Sequence, residues 1–158
     1  EILVRGPQLM RGYWNLPEAS AEALGGGWMH TGDAGILDDE GFLYVQDRTK
    51  DMVVSGGENV YPREVEDVLF QHPAVADAAV IGVPHPELGE EVKAIVQLEA
   101  GQSLTEDEVR AWVREELADF KVPAYVELRH EALPRNASGK LLKNVLRGEG
   151  DVSFAETM

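Results

Sequence analysis

The chain has 158 residues, no cysteine, 44% hydrophobic content and a formal net charge of −15. That length holds one ordinary domain, or a small domain with a piece of another. The missing thiols exclude disulfides and cysteine-ligated zinc, His30, His72, His85 and His130 lack metal-ligand spacing, and the acidic balance disfavours nucleic acid or an anionic membrane as a broad partner. No apolar run approaches the length of a membrane span, so a transmembrane segment is not expected. The opening Glu1-Ile2-Leu3-Val4-Arg5 starts in mid-strand without a methionine and reads as a cut from a longer cytoplasmic protein.

Residues 2–5 alternate as a sheet edge, and Gly6-Pro7 ends them. Residues 17–24 read as a short helix, with Pro17 in its first turn and the glycines at 25–27 closing it. After Trp28-Met29-His30-Thr31-Gly32-Asp33, residues 36–37 and 42–45 flank Asp38-Asp39-Glu40-Gly41 as a hairpin. The charged run Asp47-Arg48-Thr49-Lys50-Asp51 then breaks the pattern and marks a domain boundary.

A second unit comes next. Residues 52–54 form a strand, ended by Ser55-Gly56-Gly57-Glu58-Asn59, and Pro62 opens a helix that gathers Val65, Val68 and Leu69 on one face. Strands at 76–83 and 92–98 are separated by the turn-rich 84–89, and Thr105 with Glu108 makes a capping box for a helix burying Val109, Trp112, Val113 and Leu117. A third strand at 125–128 and a last helical turn within 141–146 complete the pattern, and from Gly148 a polar tail is expected. The expectation is an α+β fold: a small domain at 51–147 with a three-stranded sheet and flanking helices, preceded by a β-rich segment at 1–46 and a link at 47–50.

Between Lys121 and Arg147 the charge reverses, with six basic residues against Glu127 and Glu131. Within that span Leu133-Pro134-Arg135-Asn136-Ala137-Ser138-Gly139-Lys140 combines a proline-stiffened entry, a small polar turn and a glycine before a lysine. Such a turn can offer one ammonium to a small polyanion, or it can be a solvated surface turn. It is not a Walker phosphate loop, because Pro134 and Leu141 stand where that pattern needs glycine and Ser or Thr.

Four stretches stand in order: Gly12-Tyr13-Trp14-Asn15-Leu16-Pro17-Glu18, Gly27 to Asp33, Asp47 to Asn59, and Leu133 to Lys140. Together they resemble the adenylate-forming superfamily of acyl-CoA synthetases, peptide-synthetase adenylation domains and luciferases, over essentially residues 1–147. The resemblance implies activation of a carboxylic acid by ATP, which ends as AMP, to an acyl-adenylate, followed by transfer to a thiol. Residues 1–46 would be the end of a large N-terminal domain and 51–147 the C-terminal domain. The ATP phosphate loop, the adenine loop, the acid that positions Mg2+ and the acyl pocket would lie in the missing N-terminal part, and the chain alone is expected to be inactive.

The resemblance also implies roles. Asp33 would accept bonds from the ribose hydroxyls, although taken alone it reads as a turn aspartate satisfying backbone N–H groups. Arg48 would reach the nucleotide, or else pair at the surface with Asp47 or Asp51. Lys50 falls on the hinge position, or is a linker charge. Gly56 and Gly57 would admit the pantetheine arm of CoA, or simply end a strand. Lys140 matches the adenylation lysine, whose fixed ammonium bridges the α-phosphate and the carboxylate, a donor typically worth ~3 kcal/mol. Ser55 to Pro62, Phe120-Lys121-Val122-Pro123 and the Pro-Arg-Asn-x-Ser-Gly-Lys spelling resemble fatty or aryl acyl-CoA ligases most. Loading of a carrier protein, a luciferase-like oxygenase and a non-catalytic binding module stay open, and the acid itself is set outside these residues.

Overall fold

The computed structural model describes residues 1–149, in two units: residues 1–50, and the part beginning at Asp51. In the first unit β1 (Leu3–Val4) pairs antiparallel with β2 (Met29–His30), and the connection carries α1 (Pro17–Ala23). Ser20 Oγ ties that helix down, accepting from the Tyr13 N–H at 2.8 Å and donating to the Leu16 carbonyl at 2.7 Å. Next, β3 (Asp33–Leu37) and β4 (Leu43–Arg48) form an antiparallel hairpin. Its turn is held by Asp38 Oδ1, which accepts from the Glu40 and Phe42 N–H groups, and by Gly41 at φ +87°. The expected hairpin is present, but β4 runs on to Arg48, inside the stretch read as a charged break. Backbone pairing overrides the local charge there, and Arg48 becomes the direct register partner of Asp33.

No residue of the first unit is fully buried. Leu37, Phe42 and Val45 are 68%, 61% and 62% exposed, so the hairpin carries an apolar surface without a core of its own.

The second unit is built on the chain's longest apolar strands. In order it comprises β5 (Val53–Ser55), β6 (Glu58–Val60), α2 (Pro62–Phe70), β7 (Val75–His85) and β8 (Gly89–Leu98), then α3 (Glu106–Glu116), β9 (Tyr125–Arg129) and α4 (Lys143–Leu146). The strands make one five-stranded sheet in the order β6-β5-β8-β7, with β9 joined parallel to β8. The expected three-stranded sheet is therefore too small. Gly56-Gly57 ends β5 as expected, but as a hairpin turn that leads straight into β6, with both residues at positive φ (57° and 90°). The residues after it, Glu58-Asn59-Val60, look polar and loop-like in sequence because only Val60 faces the core. Likewise β7 continues through Pro84 and His85, which pair with Glu90 and Gly89.

Alternation along β7 and β8 explains both layers. Ala78, Val80, Val92 and Ala94 face the core beneath α2 and α3, while Ala79, Ile81 and Ile95 face the other side with Leu133, where Leu141 and Leu146 pack. The expected face of α2 holds, with Val65, Val68 and Leu69 buried; that of α3 holds at Val109 and Val113, while Leu117 is the cap residue beyond the helix and only part-buried. The capping box also forms: Thr105 Oγ1 accepts the Glu108 N–H and the Glu108 carboxylate accepts the Thr105 N–H. Trp112 is only part-buried, since its ring N–H reaches the Val68 carbonyl at 2.9 Å and joins α3 to α2. The polar tail expected from Gly148 lies, from residue 150 on, outside the described residues.

One charge sits inside this unit. Glu66, on the otherwise apolar face of α2, accepts the Val80 N–H at 2.8 Å and the Lys143 ammonium at 2.7 Å. Both side chains are largely removed from water, at 9% and 15% exposure.

The contrast between the units is measurable. In the 158-residue chain, hydrogen exchange should be fast across residues 1–50, since exposed hairpins without a core are marginal in water, and slow in β7 and β8. Equal protection in both units of a proven monomer would contradict this. Replacing Glu66 by Ala should lower the second unit's unfolding free energy by about 3 kcal/mol, because it strands a buried ammonium and a buried N–H. A urea-denaturation loss of under about 1 kcal/mol would show the pair contributes no more than a surface bridge.

Candidate functional site

In the first unit the candidate residues are held by the N-terminal end of β3. Gly32 takes φ +73°, which lets the chain turn from Thr31 into Asp33. Thr31 Oγ1 accepts the Asp33 N–H and donates to the Ile2 carbonyl, while the Glu1 carboxylate accepts from the Gly32 N–H at 3.0 Å and contacts His30 Nδ1 at 2.8 Å. The hydrogen bond from His30, and then that from Gly32, hold the Glu1 carboxyl below its usual range.

Opposite, Arg48 reaches back with Nε 3.2 Å from Asp33 Oδ1 and one terminal nitrogen 3.1 Å from the Thr31 carbonyl. Asp33 and Arg48 are thus brought together as an ion pair. Asp47 accepts the Arg48 backbone N–H, and Asp51 pairs with Arg147 in the second unit. Asp33 Oδ2 carries no bond among the described residues and remains available as an acceptor. A cavity of about 320 Å³ borders this turn, with Tyr13, His30, Thr31 and Gly32 in its wall.

In the second unit Lys140 ends a closed turn. The Asn136 carboxamide oxygen accepts three donors, the Ser138 N–H (3.1 Å), the Ser138 hydroxyl (2.8 Å) and the Lys140 N–H (2.8 Å). The Asn136 N–H bonds the Lys140 carbonyl, Gly139 takes φ +83°, and the Leu142 N–H closes onto the Pro134 carbonyl. Leu133 anchors the entry at 4% exposure. The Lys140 side chain is exposed, and its ammonium has no carboxylate partner among the described residues.

Gly56 and Gly57 lie on the β5–β6 turn. A Cβ on Gly56 would come 3.2 Å from the Leu88 side chain, whereas Gly57 faces open space. Lys50 is exposed, in the single turn Thr49–Asp51 between the two units. Among the described residues no cluster of three or more His, Asp or Glu could hold a metal ion.

Residues 64–140 match the AMP-binding enzyme C-terminal domain. The chain carries that domain. Lys140 is the last residue of the match, while Asp33, Arg48, Lys50, Gly56 and Gly57 precede it. The chain is 49% identical over 149 residues to the long-chain-fatty-acid–CoA ligase of Bacillus subtilis (strain 168), covering 94% of this chain and 26% of that protein. It is 50% identical over 147 residues to the feruloyl-CoA synthase of an Amycolatopsis species, covering 93% and 30%. Among solved structures it resembles the o-succinylbenzoate CoA synthetase of Bacillus subtilis in complex with its acyl-adenylate intermediate, with a TM-score of 0.85 and 46% identity over 93% of this chain and 30% of that one. The chain therefore spans between 26% and 30% of the length of these relatives.

Around Lys140, sequence reading missed the contacts that hold the turn. Asn136, Arg135 and Asp77 brace the turn, and Glu66 with Lys143 anchors the helix beyond it. The signal for Asn136 was present, since Asn-x-Ser before glycine is an Asx-turn spelling. Asp77 gave none, being 58 residues from Arg135.

Proposed function

We propose that this chain is the C-terminal portion of an ATP-dependent acid–CoA ligase acting on a fatty or aryl carboxylic acid. The observation that carries the reading is Lys140, an ammonium without a carboxylate partner among the described residues, on a braced turn at the end of the matched domain. In the first half-reaction a carboxylate oxygen attacks the α-phosphorus of ATP and the bond to pyrophosphate breaks. Two anions must approach, and a fixed ammonium contacting both lowers that repulsion. In the second half-reaction the CoA sulfur attacks the acyl carbon and AMP leaves, carrying the former carboxylate oxygen.

The other residues take roles consistent with this chemistry. Asp33 Oδ2 accepts from a ribose hydroxyl while Arg48 fixes the carboxylate through Oδ1. The Gly56-Gly57 turn, with open space beside Gly57, gives passage to the thin pantetheine arm. That turn stands at the β6 edge of the sheet, while the Lys140 turn is tied to the β7 edge. Serving one acyl group with both turns in succession calls for reorientation of the second unit, and Lys50 is where it would pivot.

A chimera tests both claims: this chain replaces the matching part of the Bacillus subtilis o-succinylbenzoate CoA synthetase. Lys140→Ala should cut pyrophosphate release by about 10²–10³-fold, the loss expected for one preorganised donor, while transfer from supplied acyl-adenylate to CoA persists. Equal loss of both steps would refute the division of labour. Lys50→Pro fixes φ near about −65° and should retain adenylate formation while losing thioester formation. Full turnover in that variant would remove Lys50 from the hinge.

A further inference from the structure

Three cations, Arg135, Lys140 and Lys143, lie close together in sequence at the end of the domain, and of these three only Lys140 has no acidic partner among the described residues. Lys143 is sunk against Glu66, and Arg135 is bound twice. One terminal nitrogen of Arg135 donates to the Gly139 carbonyl at 2.8 Å, inside the turn and adjacent to Lys140. The other donates to Asp77 Oδ2 at 2.6 Å, and Asp77 is itself only 13% exposed, with Oδ1 accepting the Ala78 N–H at 2.9 Å. Arg135 therefore bridges β7 and the carbonyl that precedes Lys140.

From this geometry we infer that Arg135, locked by Asp77, is a positioning residue for the Lys140 ammonium. The inference rests on the role proposed for Lys140 above. Asn136 closes the turn from inside, but its three acceptor bonds fix the turn's shape and not its place on the domain. The antiparallel bridge between Arg135 and Leu141 closes the neck of the turn, and placement comes from Arg135 on Asp77 together with Leu133 and Leu141 packed against the sheet. A guanidinium is suited to this, because its planar fork delivers two donors at a fixed angle and a lysine cannot reproduce that. Arg135 is exposed on its outer side, so exchange for glutamine removes the bridge without opening the core.

The test has two readouts. In the 158-residue chain, Arg135→Gln should speed amide exchange at Ser138, Gly139 and Lys140 while β7 and β8 stay protected. Asp77→Asn should do the same through loss of the charged acceptor. In the chimera, Arg135→Gln should lower pyrophosphate release about tenfold or more, the scale of a reactive group displaced by a fraction of an ångström. Transfer from supplied acyl-adenylate should be unchanged, and Arg135→Lys should not restore the first step. Because Arg135 acts through Lys140, the double variant Arg135→Gln/Lys140→Ala should be no slower than Lys140→Ala alone.

Multiplying losses in the double variant would overturn the inference, and so would full rescue by lysine. So would an Arg135→Gln chimera with undiminished pyrophosphate release alongside a crippled Lys140→Ala. If Lys140→Ala itself costs nothing, the proposed function fails and the clamp is judged on exchange alone. Faster exchange in the turn then upholds it as a brace, and unchanged exchange overturns it.

Discussion

Everything that places Lys140 depends on how the free edge of β7 is closed. An edge strand presents unpaired N–H groups, and a buried one must find an acceptor. At Val80 the acceptor is the Glu66 carboxylate from α2, and the same oxygen takes the Lys143 ammonium from α4. Two buried charges cost several kcal/mol to desolvate, so the pair adds little net stability over an apolar substitute. What it does add is registry. A four-residue helix cannot sustain itself, yet α4 is held by Lys143 on Glu66 of α2, by its cap residue Arg147 on Asp51, and by Leu146 on the apolar layer of Ile81 and Ile95. The Lys140 turn then spans a short distance between two fixed points, Leu133 and Lys143.

The two units solve the folding problem differently, and that bears on function. The second buries both faces of β7 and β8 and can supply a rigid platform. The first buries no residue completely and depends on backbone pairing and short polar bridges such as Glu1 with Gly32 and Arg48 with Thr31. Its apolar surface runs from Ile36 to Val45, whereas the end near Asp33 and Arg48 is polar and held by their ion pair. One strand pair thus carries an apolar surface and a charged end.

Local rules made much of this legible in the sequence: the capping box at Thr105 and Glu108, the faces of α2 and α3, and the turn at Asp38 to Gly41 each depend on residues a few positions apart. Of the two short strands, β5 was legible as a strand at 52–54 but β6 was not: it has three residues and is polar because it lies at a sheet edge. Arg48 opposite Asp33 was hidden for a related reason, since strand register is a property of the pair and not of either segment. Lys140, Asp33 and Arg48 were singled out through motif spelling, but Asp77, alone in an apolar stretch, and Glu66, one of three acids in its helix, give no hint of the distant cations they meet.

The chain holds 29 acidic residues against 14 lysines and arginines, yet among the described residues both Lys50 and Lys140 are exposed without an acidic partner, and at Lys140 the cause is local. Two features supply it. The turn itself is made of asparagine, alanine, serine and glycine, whose dipoles are spent on one another and offer no carboxylate. The acids that meet the residues at its two ends, Asp77 and Glu66, are each occupied by a flanking cation, Arg135 and Lys143. Exchanging either flanking cation for a neutral residue would leave a carboxylate without its partner near the turn, and an ammonium at close range gains more from such a charge than from water-screened anions further away. The flanking pairs thus hold the turn in place and also keep its lysine from being captured within the fold, so that its charge stays directed at whatever anion arrives from outside.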